Sequence, residues 1–101
     1  MSKPESKLQR KIREALEKEF EDSFWFKVHG GPFQMAGLPD LIGCVAGIYI
    51  GIEVKHPEQD HPLSRIQKIR IRQIQEAGGY AACVEDVEDA IELVRRALRK
   101  G

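Results

Sequence analysis

Two carboxylates and one lysine in the middle of the chain have types and spacing suited to metal-assisted chemistry. Asp40 directly follows Pro39, and Glu53 and Lys55 come thirteen and fifteen positions after Asp40. The run between the two acids is apolar and has Ala46-Gly47 near its middle, which predicts two strands joined by a tight turn. A turn centred on this pair places Asp40 directly opposite Glu53, with Cβ atoms about 5 Å apart. Lys55 then lies on the same face as Glu53.

Metal-assisted phosphodiester hydrolysis is the reaction that this predicted patch suits. Two carboxylates held so close repel each other, and a divalent cation between them would remove the repulsion. Mg²⁺ and Mn²⁺ prefer such hard oxygen ligands, and the backbone carbonyl of Val54 would be a third. The cation would polarise the phosphate and activate a water, while Lys55 would orient that water or stabilise charge on the phosphate. An ordinary surface ion pair at a strand end is the alternative interpretation of Asp40, Glu53 and Lys55.

Seven elements are predicted around this patch, in the order α-β-β-β-α-β-α. Apolar residues at every fourth position predict a first helix over 5–21, capped by Ser2 or Ser6. Ser64-x-x-Gln67 has the form of a capping box for a helix over 64–77, and Asp86 would cap the last helix. The predicted strands span 24–29, 40–45, 48–55 and 80–84. Because strand 48–55 carries apolar residues on both faces, we expect helices on both sides of the sheet.

Four short motifs follow one another along the chain in a fixed order. They are Gly37-Leu38-Pro39-Asp40, Ile52-Glu53-Val54-Lys55, Leu63-Ser64-x-x-Gln67 and Gly78-Gly79-Tyr80. With these motifs the chain resembles the PD-(D/E)xK nuclease superfamily, and more closely the small stand-alone form of its VRR-NUC branch, the virus-type replication-repair nucleases. The resemblance covers nearly the whole chain as one domain, 1–101. It implies an α/β, restriction-endonuclease-like fold, with a central mixed four-stranded sheet flanked by helices.

The resemblance also implies roles for individual residues. Asp40 and Glu53 would be the metal ligands, Lys55 the catalytic lysine, and Gln67 an active-site residue on the second helix. For Gln67, a purely structural role in the capping box is the alternative.

The same resemblance implies a glutamate on the first helix, near the metal. Glu5 is the candidate, because Leu8 and Ile12 follow it with the expected apolar spacing. Glu14 is the alternative, and an exposed helical glutamate is otherwise simply solvated.

Charge distribution, rather than net charge, bears on a nucleic-acid partner. Sixteen basic and sixteen acidic residues cancel, but the stretch 63–75 contains four bases and no acid. Arg65, Lys68 and Arg72 share one face of the predicted helix, and Lys27 ends the first predicted strand. Such patches attract DNA phosphates without reading bases, although a solvated helix face would have the same composition.

A metal-dependent, structure-selective DNA endonuclease is the function that these expectations favour. The resemblance implies a homodimeric, Holliday-junction-type nuclease, with two active sites for two strands. Apolar residues at 24–26 and 33–35 are the predicted dimer contacts, because they exceed what so small a core needs. A restriction-like or flap nuclease and a non-catalytic nucleic-acid-binding module are the alternatives.

The remaining composition predicts a cytoplasmic protein. Cys44 and Cys83 lie far apart in apolar surroundings without a CxxC pair, so we expect buried, reduced thiols. The sequence contains no apolar stretch long enough for a membrane span, and the first eleven residues lack the apolar core of a secretory signal.

Overall fold

Seven elements follow one another in the predicted order in a computed structural model, which describes residues 4–58 and 62–100. The helices are α1 (Pro4–Glu19), α2 (Arg65–Glu76) and α3 (Val87–Lys100). The strands are β1 (Ser23–Lys27), β2 (Leu41–Val45), β3 (Ile48–Val54) and β4 (Tyr80–Val84). Each predicted element is present, and only its ends differ by a few residues.

The hairpin between β2 and β3 has the predicted turn and the predicted register. Ala46 and Gly47 both have positive φ, 53° and 79°, as a two-residue turn between twisted strands requires. Val45 consequently pairs with Ile48, and Leu41 pairs with Ile52 at the open end.

The sheet has the strand order β1-β2-β3-β4. The first two pairings are antiparallel, and α2 makes the crossover to a parallel pairing of β3 with β4. The sheet is therefore mixed and four-stranded, so the predicted α/β single-domain architecture is confirmed.

Helices lie on both faces of this sheet, also as predicted. Ile12 of α1 and Val94 of α3 belong to the same buried cluster as Ile52 of β3. On the opposite face, Ile74 of α2 lies against Gly51 of β3, where an added Cβ would approach it to 3.2 Å. Because α2 packs on β3 and β4, Phe24 and Phe26 of β1 and Cys44 of β2 remain exposed on that face.

Local sequence signals explain where the helices begin. Pro4 opens α1, since its fixed φ suits a first helical position. Ser6 lies inside α1 and cannot cap it, and Ser2 lies outside the described residues. Asp86 caps α3 as predicted, because its Oδ1 accepts the backbone N–H of Asp89 at 2.7 Å.

The two cysteines contradict the sequence-based expectation. Both are free but exposed, so the prediction of buried thiols is wrong. Cys44 of β2 lies between Phe24 and Tyr49 on the uncovered part of the sheet. Cys83 of β4 lies beside Glu53 of β3. An apolar sequence neighbourhood did not predict burial, because alternate strand residues face opposite sides of a sheet. Among the described residues, no helix combines the length and apolarity needed to span a bilayer.

Candidate active site

The open end of the hairpin brings Asp40 and Glu53 together. Leu41 pairs with Ile52, so the residues one step further along each strand, Asp40 and Glu53, are neighbours. The two carboxyl groups are close enough for a hydrogen bond when Glu53 carries a proton. The register predicted from the turn therefore holds at the site as well.

Backbone contacts on both sides hold Asp40 in place. Its Oδ2 accepts the backbone N–H of Val54 at 2.8 Å, and its carbonyl oxygen accepts the backbone N–H of Val28 at 2.8 Å. The preceding turn is equally constrained: Pro39 is buried, and Gly37 has φ 78°. A Cβ at Gly37 would come within 2.9 Å of the Ile66 backbone, so only glycine lets this turn rest on α2.

Glu53 is a buried acid with one unpaired oxygen. The residue is 2% exposed, and its Oε1 accepts a hydrogen bond from Gln67 Nε2 at 3.2 Å. Its Oε2 is buried and has no hydrogen-bond donor among the described residues. A buried carboxylate oxygen without a donor is costly, because it has lost its hydration without compensation.

The electrostatics of Glu53 reflect that cost. Burial, followed by hydrogen bonding to Asp40 and repulsion from it, raises the pKa of Glu53 to about 9. Glu5 adds to the repulsion, and the ammonium group of Lys55 opposes it. Without a cation, the pair therefore shares one proton at neutral pH, as like charges in close contact do.

Gln67 forms the capping box and also donates a hydrogen bond to Glu53, while its active-site role stays a prediction. Its Oε1 accepts the backbone N–H of Ser64 at 2.8 Å, and its backbone N–H donates to Ser64 Oγ at 3.2 Å. These two bonds form the predicted capping box of α2. Because the amide oxygen is engaged there, the NH₂ group is directed to Glu53. The helix cap thus orients a side chain of the site.

Lys55 and the carbonyl of Val54 complete the patch. The backbone N–H of Lys55 donates a hydrogen bond to the carbonyl oxygen of Val84 in β4 at 3.0 Å. Since a trans peptide directs its C=O away from its N–H, the carbonyl of Val54 points toward the β2 side, where Asp40 lies. The Lys55 side chain is half-buried and belongs to none of the ion pairs in the described residues. A simple surface ion pair therefore does not describe the patch.

These donors fit a hard divalent cation. The unpaired Oε2 of Glu53, the adjacent Asp40 carboxylate and the Val54 carbonyl are the oxygen types that Mg²⁺ and Mn²⁺ prefer. A cation would take the place of the shared proton and relieve the repulsion that raises the pKa of Glu53. The part of the chain that the structure describes contains no cluster of three or more His, Cys, Asp or Glu side chains, so the side-chain donors are a carboxylate pair.

The structure distinguishes the two glutamate candidates on α1. Glu5 is half-buried, and its charge acts on Glu53. Glu14 is exposed and lies nine residues further along α1. Glu5, at the start of α1, is therefore the candidate whose charge reaches Glu53.

The predicted DNA-contacting residues lie on both sides of the patch. Arg65, Lys68 and Arg72 are exposed on α2, the helix that supplies Gln67. Lys27 is exposed at the end of β1, where it pairs with Leu41, the residue after Asp40.

Two residues near the patch were missed from the sequence. Cys83 pairs with Glu53 in the parallel register. Although the residue is exposed, its thiol is partly desolvated by its neighbours, and this desolvation, followed by repulsion from Glu53, raises the pKa of the thiol. Gln9 is 6% exposed on α1, one turn after Glu5, and its Oε1 is buried without a donor among the described residues. The only sequence signal for Gln9 was a polar residue at a position of the apolar stripe.

Comparisons with known proteins provide an independent view of the fold. No family model matches the chain, and no curated protein matches it. The alignment with one solved structure, a VRR_NUC domain protein, spans 100% of this chain and 93% of the chain of that protein. The sequence identity is 19%, and the TM-score is 0.75. A second VRR_NUC domain covers 85% of this chain and 92% of its own, with 19% identity and a TM-score of 0.63.

A third similar structure is Hjc of Archaeoglobus fulgidus, a Holliday junction resolvase from an archaeal hyperthermophile. It matches 80% of this chain and 67% of its own, with 19% identity and a TM-score of 0.62. At this identity the likeness concerns the fold, and it agrees with the element order and the mixed sheet described above. The chain therefore has the fold of a VRR-NUC domain.

Proposed function

We propose that this protein is a metal-dependent, structure-selective DNA endonuclease that acts on branched DNA of the Holliday-junction type. The observation that carries the proposal is the buried Glu53 carboxyl group, with an unpaired oxygen, beside Asp40. Glu53 lies at the end of a central strand and has Lys55 two residues away, in the fold shared with the VRR_NUC structures. An arrangement so costly without a cation is understandable as a site that binds one.

Each residue of the patch has a distinct task in this mechanism. Bound by Asp40, Glu53 and the Val54 carbonyl, a divalent cation would supply Lewis-acid polarisation of the phosphodiester and favour deprotonation of the attacking water. The Lys55 ammonium group stabilises negative charge as the water oxygen bonds to phosphorus and the bridging P–O bond breaks. Gln67 keeps Glu53 in its orientation through the bond from Nε2 to Oε1.

DNA is the substrate class that the surrounding charge supports. Lys68 follows Gln67 directly on α2, and Arg65 and Arg72 share its exposed face, so phosphates bound there lie beside the patch. One of the three similar structures, Hjc, is a Holliday junction resolvase, which supports branched DNA as the specific substrate. The free cysteines are compatible with the predicted cytoplasmic location.

We further propose a homodimer, because a junction offers two strands to cut. Phe24, Cys44 and Tyr49 form one exposed row across β1, β2 and β3, on the part of the sheet that α2 leaves open. Phe26 lies beside Phe24, with ring centroids 5.9 Å apart, and Phe33 is 100% exposed. A second copy seated on this surface would cover these apolar groups.

Replacing Lys55 tests catalysis separately from binding. In K55A, cleavage of a synthetic four-way junction in Mg²⁺ or Mn²⁺ should fall by about 10²-fold or more, while junction affinity in EDTA remains close to that of the parent. K18A, which removes an exposed lysine at the last turn of α1, should leave both quantities unchanged. If K55A cuts as well as the parent, the proposed mechanism is wrong.

Substrate choice and assembly have their own tests. Junction, flap and plain duplex of the same sequence, compared side by side, should show preferred cutting of the junction. A preference for flaps or duplex would instead favour the flap-nuclease or restriction-like alternative. Sedimentation equilibrium should show a dimer for the parent and a monomer for F24D, which places a charge on the exposed row. A monomeric parent would exclude the proposed dimer.

A further inference from the structure

A basic groove lies between α1 and β1, on the side of the patch away from α2. It has a volume of about 500 Å³, and its polar lining residues include Gln9, Arg10, Arg13, Lys27 and His29. None of the described residues that line it is acidic. In a chain with equal numbers of acids and bases, three cations without a carboxylate among these described lining residues are a local excess of positive charge.

The cations of the groove differ in how far they are already neutralised. Arg13 contacts Glu17, one turn further along α1, at 3.3 Å, which is an exposed and weak pairing. Arg10 and Lys27 are exposed and belong to none of the ion pairs in the described residues. These two side chains therefore retain full charge for an anionic ligand.

Gln9 contributes a second, independent observation. Its side chain lines the groove although the residue is 6% exposed, and its Oε1 is turned inward without a donor among the described residues. The NH₂ group is then the only polar side-chain group that Gln9 can present to the groove. Glutamine NH₂ groups are common donors to DNA phosphates, so this amide suits the same ligand as the neighbouring cations.

The groove begins next to the proposed catalytic patch. Lys27 pairs with Leu41, and the next residue, Val28, donates its backbone N–H to the Asp40 carbonyl at 2.8 Å. Leu41 itself lines the groove. Leu41 and Asp40 face opposite sides of the sheet, so the groove and the patch lie one residue apart along β2, with the groove on the α1 side. A DNA strand would pass around this end of the sheet to reach both.

We propose that this α1–β1 groove binds the backbone phosphates that adjoin the scissile phosphate on the strand being cut. Arg10 and Lys27 neutralise these phosphates, and Gln9 donates a hydrogen bond to one of them. Together with the exposed cations of α2, the groove gives the patch positive charge on both sides, so the cut strand is held before and after the reacting phosphate. This inference rests on the proposed function, since it takes DNA as the ligand.

The salt dependence of DNA binding tests the groove. Affinity for a four-way junction is measured in EDTA, without cleavage, at several salt concentrations between about 50 and 200 mM. In R10Q/K27Q the slope of log affinity against log salt should become shallower by about 2, because two cations no longer neutralise phosphates, and affinity should fall about tenfold or more. Q9L should weaken binding while leaving the slope unchanged, because it removes a neutral donor.

A matched variant separates the groove from general charge. K18Q/R96Q also removes two exposed cations, at the last turn of α1 and on α3, and should keep the parental slope and affinity. Equal slopes for parent and R10Q/K27Q, or equal losses in both double variants, would overturn the groove assignment. If the parent binds and cuts the junction and R10Q/K27Q does so equally well, the assignment of the groove is wrong and the proposed nuclease function stands. If the parent shows no salt-dependent binding, the DNA-directed function fails as well.

Discussion

Replacing Glu53 by Gln should stabilise the cation-free protein at neutral pH while abolishing its cleavage activity. Burial and neighbouring acids raise the pKa of Glu53 from 4.5 to about 9. The folded protein therefore holds a proton there that the unfolded chain releases above pH 4.5. The contribution of Glu53 to the free energy of unfolding is therefore most favourable below pH 4.5, and it is lost as the pH rises to about 9.

The magnitude follows from the gap between neutral pH and the ordinary pKa of the carboxyl group. At pH 7 this gap is about 2.5 pH units, which at about 1.4 kcal/mol per unit corresponds to roughly 3.5 kcal/mol. Because some water can enter a cation-free site, we expect E53Q to be more stable than the parent by about 1–3 kcal/mol. The amide introduced by E53Q would keep the bond from Gln67 Nε2 and could donate its own NH₂ group to Asp40.

The assay is urea unfolding in EDTA at pH 5, 7 and 8.5, read as the difference between parent and variant, so that other titrating groups cancel. This difference should grow with pH. E92Q is the control: Glu92 is exposed, and its hydrogen bond to Arg99 lowers its pKa, so its effect should change only at acidic pH. A difference that stays flat from pH 5 to 8.5, or an E53Q protein less stable than the parent at pH 8.5, would refute this account of Glu53. Mg²⁺ should stabilise the parent and not E53Q.

Three further predictions concern other parts of the molecule. Q67E keeps the side-chain oxygen that caps α2 but loses the NH₂ group that donates to Glu53, so the cleavage rate should fall at least tenfold. S64A removes the hydroxyl group that accepts the Gln67 backbone N–H, so it should lower the free energy of unfolding by about 1 kcal/mol and leave the cleavage rate unchanged. In a C44S background, a bulky maleimide on Cys83, beside Glu53, should block cleavage, while C44S/C83S should remain active after the same treatment. A46N should raise the free energy of unfolding by about 1 kcal/mol in urea, because Asn tolerates the left-handed conformation, φ 53°, better than Ala does.

Much of the fold was predictable because its signals are local. Ala46-Gly47 predicts a tight turn, and the turn alone determines which residues of β2 and β3 face each other. Asp86 and the Ser64–Gln67 pair predict where two helices begin, since caps satisfy backbone groups within one turn.

Other features depend on contacts between residues far apart in the chain. Cys44 appeared buried from its apolar neighbours, but its exposure depends on how far α2 extends over the sheet. The choice between Glu5 and Glu14 required the position of α1 relative to β3. The two contacts of Gln67, with Ser64 and with Glu53, were not both evident from the sequence, because nothing local shows that its NH₂ group reaches Glu53.

The sequence by itself determined the hairpin register, and with it the pairing of Asp40 with Glu53. Side-chain alternation and turn geometry act over a few residues, so spacing was sufficient. Only the tertiary structure decided that Glu53 is buried, that its Oε2 has no donor among the described residues, and that Gln67 and Glu5 approach it from two different helices. Burial and the charge of distant residues govern the energy of a carboxyl group, and both arise only when the helices pack on the sheet.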